Sequence, residues 1–298
     1  MNRFLRWLFI TGFAARAVNH RFSQFLLPTV AGSYFLILDV WGTEWQFIAN
    51  NIATHEIIFT VLLLATLFAQ AFKEVGASFS RMVEESYLRF LEEFMILTAS
   101  VVDFKLKRFR NYAKNLKPTS NTFKAITRPK DQIEYIIDQS VKWLRDSFSL
   151  AENEISVTVI CISNKTDSPY YLFDSQKSWT RTKAKTIINE QSSASYCLKK
   201  GEPVFKADKL IASKAGQYYL SDRDDRMKTG SVYCFPVFVN LPNHKDEYVI
   251  TIVTYNKRLC TPNDEDASRI AASILREICR RIELELTLLS MRSWQFND

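Results

Sequence analysis

The sequence predicts an α+β protein: an N-terminal two-helix transmembrane hairpin, a long connecting helix, and a C-terminal antiparallel sheet with flanking helices. Three observations predict it. Two apolar segments of membrane-spanning length lie near the N-terminus, a proline-free stretch with helical periodicity follows, and β-branched segments then alternate with amphipathic ones. We therefore divide the chain into residues 1–72, residues 73–117, a linker at 118–130, and a cytosolic domain at 131–298.

The composition is that of a folded protein, with 47% hydrophobic and 24% charged residues and only 7 Gly and 8 Pro. Such values argue against a long disordered region. The net charge of +7 suits nucleotides, nucleic acid or anionic lipid headgroups. Because basic residues cluster beside the apolar segments, we expect the lipid bilayer as a partner and no DNA or RNA duplex.

The cysteines and histidines do not form a metal-binding pattern. The sequence has 5 Cys and 3 His, and no two cysteines stand in a C-x-x-C pair. We therefore expect no zinc site, no other metal and no cofactor. Reduced, buried thiols in a cytosolic domain are the expected state of the cysteines. They are Cys161, Cys197, Cys234, Cys260 and Cys279.

The N-terminal segment, residues 1–21, mixes aromatic and aliphatic residues with arginines. It has no small-residue cleavage site after a short apolar core, so a removed signal peptide is not expected. The pattern predicts an amphipathic helix that lies at the inner headgroup level of the membrane. A helix on the surface of a soluble protein is the alternative.

Two segments, about 22–41 and 55–72, predict the membrane hairpin. The first has Asp39 as its only charged residue, and its length at 1.5 Å per residue matches a hydrocarbon core of about 30 Å. Pro28 is compatible with a membrane helix. In the second segment, the apolar core at 57–72 has no polar stripe, unlike an amphipathic soluble helix. A buried helix of a soluble protein is the alternative.

The flanking charges predict the orientation of this hairpin. The loop at 42–56 contains no Lys or Arg, whereas basic residues flank both outer ends of the hairpin. Positive residues stay on the cytoplasmic side, so we expect a two-pass protein of the inner (cell) membrane with both termini in the cytoplasm. Trp41 and Trp45 stand where an interfacial aromatic belt is expected.

Residues 73–117 predict one long connecting helix. Apolar residues recur at spacings of three and four, with no Pro in the stretch. A stripe of this length exceeds what one small domain needs, so we expect it to pack against identical helices in a homo-oligomer. Packing against its own domain is the alternative. The stripe consists of Phe79, Val83, Tyr87, Phe90, Phe94, Leu97, Val101 and Phe104.

The C-terminal region predicts one antiparallel sheet with helices packed on it. Asp131 is placed to cap a first amphipathic helix. A middle helix is predicted at 185–199 and a terminal helix at 264–289. Strands are predicted at 155–162, 170–173, 201–205 (a turn leading into the strand), 231–239 and 248–255, with the last two as a central pair.

Three motifs in this region resemble those of a GAF domain, a small-ligand sensor module. They are GEPV at 201–204 followed by Asp208, GSVYCFPV at 230–237, and Asn256-Lys257 followed by Asp264-Glu265. The last resembles the Asn-Lys…Phe…Asp-Glu signature of the cyclic-nucleotide-binding type, although Cys260 stands at the Phe position. The resemblance covers about 131–290. It implies a pocket over one sheet face, roofed by the segment 206–229.

The resemblance implies two groups of residues beside that pocket. Aromatic rings stack on bases, and Arg makes bidentate contacts with phosphates or base edges. A Lys at a strand end can also pair with an Asp at a helix start, which would make a structural lock beside the pocket. The candidate ligand-binding residues are Trp179, Arg181, Tyr218, Tyr219, Arg223, Arg226, Ser231 and Lys257, and the candidate lock is Asn256, Lys257, Asp264 and Glu265.

The sequence contains no catalytic constellation and no Gly-rich phosphate loop, so we expect no enzyme activity. We also expect the GAF-like region to be the last domain. The layout resembles the two-helix membrane effectors of bacterial anti-phage systems, in which a cyclic oligonucleotide governs oligomerisation. It implies that a cyclic nucleotide or cyclic oligonucleotide controls assembly of the membrane hairpin. A non-enzymatic scaffold, or a receptor subunit that acts through a separate partner protein, is the alternative.

Overall fold

The computed structural model describes residues 21–41, 44–114, 117, 123, 127–163, 168–176, 182–189, 191–221, 224, 227 and 229–296. The amphipathic helix expected within residues 1–21 lies outside the described residues, apart from residue 21. The chain forms two compact units, Met1–Glu92 and Glu93–Asp298.

The first unit contains two apolar helices that run side by side. Helix α1 spans Arg21–Trp41 with Pro28 inside it, the short helix α2 spans Gln46–Ala49, and helix α3 begins at Ile52. The Tyr34 hydroxyl of α1 lies 2.6 Å from His55 Nδ1 of α3. These helices therefore form a hairpin, and α3 begins earlier than the predicted second span.

Helix α3, Ile52–Ala113, joins the predicted second span and the predicted connecting helix without a break. By length and composition, it is the one helix among the described residues that is long and apolar enough to cross a membrane. The apolar part of α1, Phe25–Trp41, is shorter. Large apolar side chains on both helices are exposed, including Phe25 at 75% and Phe68 at 73%.

The last turns of α3 belong to the second unit and pack on helix α4, Pro129–Phe148. The Phe104 and Tyr135 rings stack with centroids 4.1 Å apart, and Gln132 Nε2 donates to the Val101 carbonyl at 3.0 Å. The predicted stripe is therefore covered by its own domain at this end. Residues on the other side of the helix, such as Met95 and Val102, are exposed. The homo-oligomer stays a prediction.

The second unit contains the predicted antiparallel sheet, with the five expected strands in the order β2-β1-β5-β4-β3. Strand β5 lies at the centre and pairs with β1 on one side and β4 on the other. The strands are β1, Ile155–Ser163; β2, Tyr170–Asp174; β3, Val204–Lys206; β4, Val232–Leu241; and β5, His244–Thr254.

Helices cover both faces of the sheet. Helix α4 and the terminal helix α8, Glu265–Phe296, pack together on one face. The other face carries two short helices, α5 at Ala184–Asn189 and α6 at Ser193–Lys200. Sequence periodicity predicted one helix there, and the break comes where Ser192 caps α6. A further short helix, α7 at Lys209–Lys214, was not predicted.

The start of α4 differs from the prediction. Asp131 lies inside the first turn, and the N-cap is Arg128, which makes no side-chain capping bond. Pro129 occupies the first turn, where its missing N–H costs nothing. The helix begins at the proline because its ring already holds the backbone in a helical φ.

Candidate functional site

A cavity of about 380 Å³ lies on the face of the sheet that α5 and α6 cover, and we call it the sheet-face cavity. Its floor is formed by the three central strands. Thr158 of β1, Thr251 of β5 and Cys234 of β4 stand side by side there, because the strand register pairs Thr158 with Thr251 and Thr251 with Cys234. The floor is therefore built from three segments that are far apart in sequence.

Strand β1 explains why the floor is polar. Side chains alternate between the two faces of a strand. Val157 and Val159 are fully buried on the face of α4 and α8, whereas Ser156 and Thr158 line the cavity. Central strands covered on both faces are usually apolar throughout. Hydroxyls at these positions leave space and hydrogen-bonding groups where apolar packing is expected.

The start of α6 forms a wall of the cavity. Ser192 Oγ accepts a hydrogen bond from the Ser195 N–H at 3.0 Å and donates to the Ile187 carbonyl at 2.6 Å. The Ser193 hydroxyl donates to the Gln217 carbonyl at 2.5 Å. These bonds fix the wall to α5 on one side and to the segment after α7 on the other.

Asp224 organises the roof of the cavity. Its carboxylate accepts hydrogen bonds from the Ser221 N–H at 2.9 Å, the Ser221 hydroxyl at 2.7 Å and the Tyr218 hydroxyl at 3.2 Å. Lys209 Nζ lies 2.5 Å from Asp224 Oδ1 and 4.0 Å from the centroid of the Tyr255 ring. The Lys209 side chain is fully buried, and its charge is balanced by the carboxylate and the aromatic face.

The described lining of the cavity carries carboxylates and neutral donors but no Lys or Arg. Asp174 Oδ1 accepts from the Gln176 N–H at 2.8 Å. Burial, together with the neighbouring Asp224, raises the pKa of Tyr218 well above its ordinary value. Burial also raises the pKa of Cys234 to about 12. Both groups are therefore protonated at neutral pH and present no nucleophilic anion to the cavity.

The structure places the predicted ligand-binding residues in different surroundings. Tyr218 and Tyr219 line the sheet-face cavity. Ser231 is fully buried, and its hydroxyl donates to the Ala207 carbonyl and accepts from the Leu259 N–H, each at 2.9 Å. Ser231 thus has a structural role. The other aromatic and basic candidates, Trp179, Arg181, Arg223 and Arg226, lie outside the described residues.

The predicted lock residues Asn256 and Lys257 bind the segment before β1. Asn256 Nδ2 donates to Glu154 Oε1 at 3.0 Å, and Lys257 Nζ donates to the Ser149 carbonyl. The expected partner of Lys257 was Asp264, so the structure gives this ammonium group a different partner. The two residues still fix the turn after β5 to the rest of the domain.

The second half of the predicted lock caps the terminal helix. Asp264 Oδ1 accepts a hydrogen bond from the Ala267 N–H at 3.0 Å, and Glu265 is the first residue of α8. Carboxylates are favoured at this end of a helix because its free N–H groups carry partial positive charge. The role of Asp264 is therefore helix capping.

Several cavity residues were missed from the sequence. Ser156 and Thr158 stand at alternate positions of a β-branched run, and that alternation could have indicated a polar sheet face. Asp224, which lines the cavity, and its buried partner Lys209 gave no such signal, because their pairing depends on the tertiary fold.

No group of histidine, cysteine and acidic side chains suited to a metal ion occurs in the part of the chain that the structure describes. No protein-family model matches the chain, and no curated protein is significantly similar to it.

Proposed function

We propose that this protein is a membrane-anchored effector whose C-terminal domain binds a cyclic nucleotide or cyclic oligonucleotide in the sheet-face cavity. Binding then controls assembly of the membrane hairpin. The observation that carries the proposal is the hydroxyl-lined floor formed by Thr158, Thr251 and Ser156 on central strands. Small polar side chains contribute little packing at such positions, and a ligand that bonds to them accounts for their presence.

The size and chemistry of the cavity favour a nucleoside-sized ligand. Its volume of about 380 Å³ lies in the lower part of the range for small-molecule sites, about 300–1,000 Å³. Tyr218 and Tyr219 offer aromatic surface, and Asp174 accepts hydrogen bonds from base or ribose donors. A cyclic oligonucleotide would place one nucleoside inside and the rest outside.

The phosphate contacts are expected from basic residues next to the lining in sequence. Arg181 precedes the lining residue Thr182, and Arg223 precedes the lining residue Asp224. Arginine binds phosphate in bidentate fashion, which the carboxylates and hydroxyls of the described lining do not do.

The membrane part of the proposal rests on α1 and α3. We infer that both helices cross the inner membrane, with the loop at 42–56 outside and both termini in the cytoplasm. A ligand can shift assembly only if it binds one assembly state more tightly than the other. Bacterial anti-phage defence is the proposed setting, by the likeness of the layout to two-helix membrane effectors.

Ligand binding is tested with the full chain in a neutral detergent. A panel of cyclic mono- and dinucleotides is titrated while the unfolding midpoint is followed. We expect one nucleotide to raise Tm in the wild type, and a Thr158→Val/Thr251→Val double variant to lose the effect. Thr287→Val on α8 is the matched control, because its hydroxyl bonds within the helix to the Glu283 carbonyl. Absence of any shift across the panel would contradict the proposal.

Effector action is tested by membrane integrity in cells that express the full chain or a chain without residues 21–72. We expect dye entry only with the full chain and only in one ligand state. Equal growth and dye exclusion in both strains, with and without the nucleotide, would overturn the effector role.

A scaffold is the second candidate function, favoured by the exposed apolar side of α3 in the second unit. Met95 and Ile96 are 66% and 61% exposed, which suits a protein partner. A scaffold would recruit its partner without any nucleotide. Pull-down from membranes with wild type and Ile96→Glu, in the presence and absence of the nucleotide, separates the two functions.

A further inference from the structure

A second cavity, of about 590 Å³, lies on the opposite face of the same sheet. It is bounded by the first turn of α4, the end of β1, the first half of β2, the start of β5 and the last turns of α8. Cys161 and Tyr248 mark its floor, and they are directly paired across β1 and β5. We call it the end cavity. It shares no lining residue with the sheet-face cavity among the described residues.

The interior of the end cavity is a buried polar network. His244 Nε2 lies 3.0 Å from Asp246 Oδ1, and both side chains are only 7% exposed. The Tyr248 hydroxyl lies 2.6 Å from Ser290 Oγ and donates to Asp246 Oδ2 at 3.4 Å. Burial alone would raise the pKa of Asp246, but hydrogen bonds from Ser163, Ser290 and His244 hold it below its ordinary value. The negative charge inside the cavity is thus satisfied by the protein itself.

The mouth of the end cavity is basic. Arg128, Lys130 and Arg292 line it, with Asp131 as the acidic residue among them. The Arg128–Asp131 pair is 3.9 Å long and more than half exposed on both sides, so it neutralises little charge. Arg292 Nη1 donates to the Thr127 carbonyl at 2.9 Å, which holds this guanidinium beside the start of α4. Three cations around one opening attract an anion.

We propose that the end cavity binds a small anionic molecule that carries a phosphate monoester. Arg128, Lys130 and Arg292 bind the phosphate at the mouth, and the hydroxyls of Ser163 and Tyr170 bind the polar body of the molecule inside. The two cavities thus differ in charge, since the described lining of the sheet-face cavity has carboxylates and no cation. This second site does not depend on what the sheet-face cavity binds.

The end cavity is also placed to influence the connecting helix. Arg108 of α3 donates from Nη1 to the Arg128 carbonyl at 3.2 Å and from Nη2 to Gln132 Oε1 at 3.1 Å. An anion bound by the Arg128 guanidinium would therefore contact the same residue whose carbonyl accepts the hydrogen bond from Arg108 of α3. A bound phosphate ester would stabilise the contact between α3 and α4.

The test is binding of two soluble probes, inorganic phosphate and glycerol 3-phosphate, to the full chain in a neutral detergent at constant ionic strength. Calorimetry gives the affinity. We expect Arg128→Gln/Lys130→Gln to weaken binding by about tenfold to a hundredfold, as expected for loss of charged hydrogen bonds. Both side chains are exposed, so the variant should fold. Lys142→Gln, an exposed cation on α4 away from the cavity, is the matched control and should bind as the wild type does.

A third arm separates a soluble ester from a lipid headgroup. The chain is reconstituted in phosphatidylcholine nanodiscs with or without phosphatidic acid, and glycerol 3-phosphate is titrated again. Competition by phosphatidic acid in the wild type, and not in the double variant, identifies a lipid as the source. Equal affinity of all variants for phosphate, or no binding of either soluble probe and no effect of phosphatidic acid, would overturn the proposal. Nucleotide binding in the sheet-face cavity would be untouched by either result.

Discussion

Lys209 and Asp224 form an ion pair removed from solvent on both sides, with 2.5 Å between Nζ and Oδ1 and side chains 0% and 1% exposed. Taking both charges out of water is costly, and their attraction offsets that cost only while both are present. The pair also joins the start of α7 to the roof of the sheet-face cavity, because Asp224 bonds to Tyr218 and Ser221 as well. Loss of this ion pair should lower the stability of the domain and weaken binding in the sheet-face cavity.

Asp224→Asn is expected to lower the free energy of unfolding by about 3–5 kcal/mol, since it removes the negative charge that faces the buried Lys209 ammonium. Denaturant unfolding of the full chain in detergent measures the change. The double variant Lys209→Met/Asp224→Asn removes both charges, so its free energy of unfolding should fall less than that of Asp224→Asn alone. If the double variant is the less stable of the two, the pair does not act as a charge-balanced unit.

Gly230→Ala is expected to destabilise the domain strongly. Gly230 has φ +148°, and a Cβ there would lie 1.9 Å from the Thr254 carbonyl oxygen, so the strands β4 and β5 would have to separate locally. We expect the free energy of unfolding to fall by more than about 2 kcal/mol, because of the strained backbone and the steric clash with Thr254. Gly201→Ala is the matched control: φ is +69° and the nearest atom is 3.8 Å away, so it should cost about 1 kcal/mol. Thermal unfolding ranks the two.

The Asp246 carboxylate should make stability depend on pH in the acid range. Its folded pKa is lowered because hydrogen bonds outweigh the effect of burial. The unfolded pKa is about 3.9, so the stabilisation is complete above that value and is lost as pH falls through the folded pKa. Asp246→Asn should therefore be less stable than wild type at pH 7, with a difference that shrinks toward pH 2. Denaturant midpoints from pH 7 to pH 2 measure it.

Glu247→Gln is the control for this titration. Glu247 is the next residue, partly exposed and paired with Lys245 at 2.5 Å. Exposed pairs contribute little, so its variant should follow the wild-type pH profile closely. A constant difference between wild type and Asp246→Asn at every pH would contradict the role of the ionised carboxylate.

The orientation of the hairpin can be tested with thiol labelling. All native cysteines lie in the second unit, and Cys260 is the one that is not buried. In spheroplasts, a membrane-impermeant maleimide should label a Glu44→Cys variant and leave the wild type unlabelled. After lysis, Cys260 should react in both proteins. Labelling of wild-type Cys260 in intact spheroplasts would place the C-terminal domain outside and reverse the proposed topology.

A charge in the apolar part of α3 should weaken the insertion of this helix and loosen the membrane anchor. Leu64 is 60% exposed, and an arginine at the centre of a membrane helix costs about 2.5–3.5 kcal/mol on the insertion scale. Leu64→Arg is expected to move protein into the fraction extracted by alkaline carbonate. Met82→Arg, outside the predicted span on the same helix, should remain in the membrane pellet as the wild type does. Identical fractionation of both variants would argue against a span at 55–72.

Local patterns predicted most elements of the fold. The β-branched run from Ile155 and the two segments that became β4 and β5 gave strands within a few residues of the observed bounds. The terminal helix was predicted at 264–289 and spans Glu265–Phe296, with Ile278 and Ile282 buried in the core. These elements were predictable because burial of one face imposes a period of two or 3.6 on the sequence.

The errors arose where tertiary contacts decide the structure. The middle helix breaks because Ser192 bonds backward to Ile187 and caps α6, and periodicity does not contain that bond. The cavity floor needs Thr158 and Thr251 to be adjacent, which depends on the register between two strands that β2, β3 and β4 separate along the chain. Lys257 donates to the Ser149 carbonyl and does not pair with Asp264, because the chain before β1 passes beside the turn after β5.

The pairing of Ile155 with Thr254 across β1 and β5 also determines the order in which parts of the chain can fold during synthesis. During synthesis, the apolar helices α1 and α3 leave the ribosome first, and β1 can pair with the central strand β5 only after that last strand has been made. Such long-range pairing is slow because loop closure comes before the contacts that stabilise it. A chain stopped before His244 would therefore contain both apolar helices and lack β5, the central strand in the floor of the sheet-face cavity.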